Sequence, residues 1–321
     1  MNLSAEGDTV PSNYRIVYGV SYIFLAALPL PIYVFMLYVI MKTSSFRRYM
    51  CYWIIFLLGV FESIQLCGQI YLGIVVVRND PGPKIVEKFF MAINSFTLSG
   101  AMQMTFLLSF NRLCVITEWI YAPKVFYKGC MVVAIVYVSA LICVFSTDLA
   151  GLSYYPTLLV HIYDNNYPLS VLFADVDSFF AAGCVGFSFI FYIFTVCYLI
   201  LQRLSLKLIN PGAIPKRELV ILFQGIVIFA LQTILVIASL PGFSFIPNVP
   251  FVYWATGAYN IFGIIAAGWV NPIMYYVMNR KLRRNMNDQF KEKVPFWKKS
   301  EVGTANNSLF HVPVSSHASA Q

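Results

Sequence analysis

Residues 251–284 read FVYWATGAYNIFGIIAAGWVNPIMYYVMNRKLRR. The apolar part is long enough to cross a bilayer core, which takes about 20 residues. It ends in Asn271-Pro272-Ile273-Met274-Tyr275 and runs at once into a basic cluster. Pro272 removes a backbone hydrogen bond and kinks the helix it sits in. A neighbouring Asn and Tyr can satisfy the freed groups and exchange partners between states. Six more stretches of the same apolar kind precede it, near 17–41, 50–77, 89–117, 129–150, 176–201 and 219–241, so that 251–279 is the seventh. Charges, Pro and Gly separate them, as in Arg78-Asn79-Asp80-Pro81-Gly82-Pro83 and Asn210-Pro211-Gly212-Ala213-Ile214-Pro215-Lys216-Arg217-Glu218.

The composition agrees. Of 321 residues, 59% are hydrophobic and 11% charged, against about 25% charged in soluble domains. The mean hydropathy is +0.72. A soluble chain has too little interior to hide that much apolar surface. Disorder, a collagen-like fibre and a disulfide-stapled secreted domain are excluded on the same grounds. The period-2 alternation of a β-barrel is absent. The expected fold is an all-α membrane protein, a seven-transmembrane helix bundle. Residues 1–16 form an extracellular N-terminus, 17–279 the membrane domain and 280–321 a cytoplasmic tail. No cleavable leader is visible, so the first helix is expected to act as its own signal-anchor. Asn2-Leu3-Ser4 is a glycosylation sequon at Asn2. The seven cysteines, at 51, 67, 114, 130, 143, 184 and 197, lie in or beside apolar segments without metal-site spacing, as buried small apolar residues do.

Charge sets the orientation. With the N-terminus outside, 18 of the 22 basic residues fall in cytoplasmic loops and the tail; Arg15, Lys84 and Lys88 fall outside with Arg78. The positive-inside rule therefore favours N-terminus outside and C-terminus cytoplasmic. The net charge of +8 is a topology signal, with no call for a nucleic-acid partner.

Polar groups inside the membrane need partners and mark function. Glu62 lies midway along the second stretch and must face the bundle, paired or protonated, either as a packing residue or in a switch network; Gln65 and Gln69 share its face. In the third stretch Ser95, Ser99, Gln103 and Asn111 recur in steps of four or eight, with Asn94 and Thr97 nearby, so one helix face is polar. That face lines a cavity or packs on other helices. At its cytoplasmic end stand Asn111 and Arg112, and Arg112 either snorkels to the interface or forms a latch toward a cytoplasmic partner. Gln232 and Thr233 are polar at mid-depth in the sixth stretch. Asp175 and Asp177 flank the outer mouth of the fifth, as a solvated loop end or an attractor of cations. From Asn279 to Phe290, Leu282, Met286 and Phe290 recur every four residues among Arg280, Lys281, Arg283 and Arg284. This is a short amphipathic eighth helix, about 279–290, on an anionic inner leaflet. The Ser/Ala/Asn-rich residues after it are expected to be disordered.

Three patches resemble the nematode serpentine chemosensory receptors of the G-protein-coupled receptor superfamily. Met50-Cys51-Tyr52-Trp53 through Phe56-Leu57-Leu58-Gly59-Val60-Phe61-Glu62 is similar to the class T pattern in the second helix. Phe110-Asn111-Arg112 and Pro272-Ile273-Met274-Tyr275, with Asn279 and Arg283, are the others. Class T is the best match, with class X or class V next. Against rhodopsin-like receptors the match is partial. Asn111 stands where an acidic residue is usual, the Cys-Trp-x-Pro of the sixth helix is missing, and 151–175 has no Cys for the usual disulfide. No Lys lies in a span, which excludes a retinal Schiff base.

The resemblance implies a chemoreceptor in the plasma membrane of sensory neurons, acting in signal transduction and sensory perception. It would bind a small-molecule ligand in the outer half of the bundle and activate a heterotrimeric G protein, with no cofactor or metal. The expected ligand-binding residues are Asn94, Thr97, Ser99, Gln103, Gln232, Tyr253, Trp254 and Tyr259. The expected switch network is Glu62, Asn111, Arg112, Asn271, Pro272 and Tyr275, and the G-protein face is Arg112, Lys216, Arg217 and Arg280. Homo- or hetero-oligomers are compatible with this. The alternative is a ligand-gated ion channel or a small-solute transporter with seven spans, although no internal repeat or ring of charges points to one. An enzyme is not expected: the three His, at 161, 311 and 317, lie outside the spans and no HExxH occurs.

Overall fold

A computed structural model describes residues 10–118, 121–209, 223, 225–231, 233–235 and 252–293. The chain is mostly helical. In order come α1 (Ser12–Ala27), α2 (Leu30–Lys42), a single turn α3 (Ser44–Arg47), α4 (Met50–Arg78), α5 (Lys84–Thr117) and α6 (Lys124–Phe145). Strands β1 (Leu152–Tyr155) and β2 (Val160–Tyr163) follow, then α7 (Ser170–Ile209). A shorter apolar helix, α8, covers Gly225–Leu235. Last come α9 (Val252–Ile264), a π-helical turn Ile265–Val270, α10 (Asn271–Met278) and α11 (Arg280–Lys293).

Among the described residues, five helical segments are long and apolar enough to cross a membrane: Ser12–Lys42, Met50–Arg78, Lys124–Phe145, Ser170–Gln202 and Tyr253–Met278. Two of the seven expected stretches are not among them. Residues 219–241 are only partly described. The other, α5, has 34 residues, but Asn94, Ser95, Thr97, Ser99, Gln103 and Asn111 make it too polar. Its position supplies the reason. It is buried along nearly its whole length, so side chains that would be costly against lipid face other helices instead.

The first stretch is not one uninterrupted helix. Pro29 breaks it into α1 and α2 because it has no N–H to give the carbonyl of Leu25, four residues back. The indole Nε1 of Trp269 donates to that carbonyl at 2.9 Å. The reverse arrangement occurs at the other end of the chain. The π turn precedes Pro272, and in its i to i+5 pattern the carbonyl of Ala267 would need the nitrogen of Pro272, which carries no proton. Tyr33 Oη of α2 donates to that carbonyl instead, at 2.7 Å. Packing between α1 and α4 is close enough to need glycine on both sides. A Cβ at Gly19 would lie 2.8 Å from the Gly73 carbonyl oxygen, and a Cβ at Gly73 2.8 Å from that of Gly19. Small residues at such crossings let helix backbones approach in a membrane.

One small β element stands in the otherwise helical chain, in the loop where the sequence suggested no strand. Residues 152–163 form an antiparallel hairpin, with Leu152 opposite Tyr163 and Tyr154 opposite His161. The strands have only four residues each, too short for alternation to register in the sequence. No disulfide ties the hairpin down: all seven cysteines are free. Hydrogen bonds do the work. Glu87 accepts from the backbone N–H of Tyr154 at 2.8 Å, Ser95 Oγ meets His161 Nε2 at 2.8 Å, and Thr256 Oγ1 donates to the Leu158 carbonyl at 2.5 Å.

Candidate functional site

Polar side chains gather at three places around α5. Midway, Glu62 is 1% exposed. Tyr33 Oη lies 2.6 Å from its Oε2, and the Asn271 amide donates to its Oε1. Tyr33 has one hydroxyl proton for two acceptors, Glu62 and the Ala267 carbonyl, so both contacts are filled at once only when Glu62 carries a proton of its own. The cavity beside Glu62, lined by Gln65, Leu98, Ala101, Ile228 and Asn271 among others, has about 10 Å³, close to the least space a single water needs. Two of the lining groups, the side-chain carbonyl oxygens of Gln65 and Asn271, are buried without a protein donor, which is the condition under which such a water is held.

One end of α5 carries Asn111 and Arg112, both 7% exposed. Asn111 hydrogen-bonds Tyr127 of α6. Arg112 points between helices: a Cβ at Gly225 of α8 would overlap its Nη1 and stand 2.6 Å from Tyr192 Oη of α7. The positive charge of Arg112 also acts on Tyr275 of α10, whose hydroxyl is buried without a protein partner. Arg112, Tyr192 and Tyr275 thus bring together α5, α7 and α10, with Gly225 leaving room for α8 beside them.

On another face of α5, at the depth of Leu98 and Ala101 beside the Glu62 cavity, Ser99 Oγ lies 2.8 Å from both carboxylate oxygens of Asp177, and Tyr137 Oη donates to Asp177 at 3.1 Å. Asp177 is therefore packed into the bundle rather than standing as a solvated loop end; Asp175, two residues earlier, is exposed. His161 lies outside the spanning segments, and burial pushes its imidazole down to about 4, so it is neutral near pH 7. Its Nδ1 is buried without a partner.

The expected ligand residues divide. Ser99 and Gln103 share one α5 face at this level. Asn94 packs against Gly68 of α4, its Cβ 2.8 Å from where a Gly68 Cβ would stand. Thr97 Oγ1 turns back to the Ile93 carbonyl. Tyr253 and Trp254 pack with tilted rings against Tyr14 of α1 at 5.9 and 5.1 Å, with Trp254 46% exposed, and Tyr259 Oη reaches the Leu235 carbonyl at 3.3 Å. Arg280 is exposed at the start of α11. Asn2, Lys216, Arg217 and Gln232 lie outside the described residues. Tyr33, Tyr192, Trp269 and His161 entered no site read from the sequence. For the tyrosines no signal was available, since they are among 21. For His161 the rarity of His in an otherwise apolar chain was a usable one.

The chain is similar in structure to squid rhodopsin, with a TM-score of 0.69 at 13% identity, over 96% of this chain and 95% of that one. This is a rhodopsin-like fold. No protein-family model and no curated protein matches the sequence.

Proposed function

We propose that the protein is a G-protein-coupled chemoreceptor of the plasma membrane, of the nematode serpentine kind and class T by its second-helix pattern. The chain crosses the membrane seven times, N-terminus outside, and α11 lies on the inner leaflet as the eighth helix. A small external molecule binds at the hairpin end and shifts an equilibrium between two helix packings. The Arg112 end, with Lys216, Arg217 and Arg280, then engages a heterotrimeric G protein. The observation that carries the reading is the likeness to squid rhodopsin along nearly the whole of both chains. The polar side chains around α5 support it, because they connect the hairpin end to Arg112 through groups able to exchange partners. The ligand must bind one packing more tightly than the other, or nothing shifts.

The test is guanine-nucleotide exchange on a panel of Gα subunits in membranes carrying the protein, with a library of volatile compounds and small metabolites. Stimulation lost in Arg112→Ala at equal surface expression is expected. Ligand-evoked currents that persist without any G protein would overturn the reading in favour of a channel.

A further inference from the structure

Asp177 stands two turns into α7, within a segment apolar enough to span a membrane. Its carboxylate accepts from two neutral hydroxyls, those of Ser99 and Tyr137. Among the described residues the ion pairs are Lys42–Glu292, Arg78–Asp80 and Lys88–Asp148, and none reaches it. A carboxylate at membrane depth with no cation beside it is costly and is kept for a use. Aromatic rings stand close to it. Tyr137 packs on Phe180 at 5.2 Å between centroids. Tyr163 of β2 is near enough that, after burial, the Asp177 charge helps hold its hydroxyl well above the ordinary range. One turn along α5 from Ser99, Gln103 is 8% exposed and its amide nitrogen has no partner, a donor left over for an acceptor.

These features select a chemistry. A hard metal ion would need about six or more oxygen ligands, and no group of three or more acidic, His or Cys side chains occurs among the described residues. An organic ammonium needs one carboxylate and aromatic faces, which attract a cation through their quadrupoles. We propose that Asp177 is the counter-charge for an organic ammonium ligand, walled by Tyr137, Tyr163 and Phe180, with Gln103 free to bind a polar group elsewhere on the same molecule. The inference names the ligand class for the receptor reading and rests on that reading for its physiological meaning. The ammonium can belong to a soluble amine or to an aminolipid headgroup.

The experiment reads binding without any G protein. The full chain in phosphatidylglycerol nanodiscs is heated with 2-phenylethylamine, isoamylamine or cadaverine, and with 2-phenylethanol or isoamyl alcohol as uncharged counterparts. At least one amine should raise the melting temperature, and the alcohols should not. Asp177→Asn, which keeps an oxygen for both hydroxyls, should weaken the amine effect at least tenfold. Tyr137→Phe, which keeps the ring, should weaken it less. If Asp177→Asn does not fold, Ser99→Ala and Tyr137→Phe carry the comparison, each shifting the amine midpoint. Phosphatidylethanolamine in the nanodiscs abolishing the soluble amine's effect would uphold the site with the lipid as its source. Equal stabilisation by the alcohols, no shift with any amine, or an amine shift unchanged in Asp177→Asn would overturn the proposal. Amine binding without nucleotide exchange would sink the receptor reading and leave this site standing; exchange driven by a neutral compound in Asp177→Asn would do the reverse.

Discussion

The bundle is built differently on its two sides. Where α1, α2, α4 and α10 meet, one continuous apolar core holds Tyr22, Tyr33, Leu58, Leu66 and Tyr275. Across it run the bonds from Tyr33 and Asn271 to Glu62, and from Trp269 to Leu25. Where α7 and α8 approach the Arg112 end of α5, a separate small cluster of Tyr192, Leu199 and Phe229 does the packing, with Ile116, Val185 and Val196 against it. Apolar packing of this kind is easier to rearrange than a bonded buried carboxylate, because sliding apolar side chains past one another orphans no polar partner. The first side is a frame; the second is where a moving helix can part from its neighbour.

Glu62→Leu attacks the frame and should have the largest effect. It strands the Asn271 amide in a buried site, Tyr33 keeping the Ala267 carbonyl, and should cost about 3 kcal/mol, read as a lower melting temperature in nanodiscs. An equal loss from Tyr192→Leu would erase the distinction between the two sides. His161 sharpens it at the hairpin. Its folded value, about 4, lies below the ordinary 6.5, so between those values the unfolded chain binds the proton and the folded hairpin does not. Hairpin stability is complete above pH 6.5 and falls as pH drops toward 4, by about 2 kcal/mol after allowance for partial exposure. The protection factors of residues 152–163, corrected for intrinsic exchange at each pH, should fall over that window in the native chain and hold constant in His161→Gln.

Gly225→Ala tests the looser side. The added methyl overlaps Arg112 and crowds Tyr192, so either α8 or the Arg112 side chain gives way, and the expected outcome is that α8 moves, at about 1–2 kcal/mol. Basal nucleotide exchange should rise, and a spin-label distance between α5 and α8 should lengthen; an unchanged distance would show that Arg112 yields instead. The smallest effect belongs to Lys42. Its contacts with Gln289 and Glu292 join α2 to α11, but the ion pair is long and exposed, and Lys42→Ala should cost less than about 0.5 kcal/mol.

Much of this architecture is legible in the residues, and the reasons for the gaps are specific. Length and hydropathy mark the long helices, because lipid imposes both. The polar spacing of α5 marks a helix facing others, and the same polarity keeps it from qualifying as a span by composition. Glu62 is visible as costly, yet Tyr33 is not visible as its partner, since a tyrosine in a span is ordinary until a neighbour faces it. Asp177 reads as a loop end because α7 begins at Ser170, about two turns earlier than the apolar run alone suggests. Pro29 is plain in the sequence, but the carbonyl it frees is filled from the far end of the chain, and no local pattern reports that.

That last pairing has a consequence during synthesis. Leu25 and Trp269 are 244 residues apart. At about 5–20 residues per second, the opening helix enters the bilayer and waits roughly 10–50 s with a bare carbonyl before the indole that caps it has been made. A message cut short before its closing segment leaves that oxygen exposed to lipid. The nascent chain therefore carries its own mark of incompleteness, one that only the arrival of the π turn between α9 and α10 can erase.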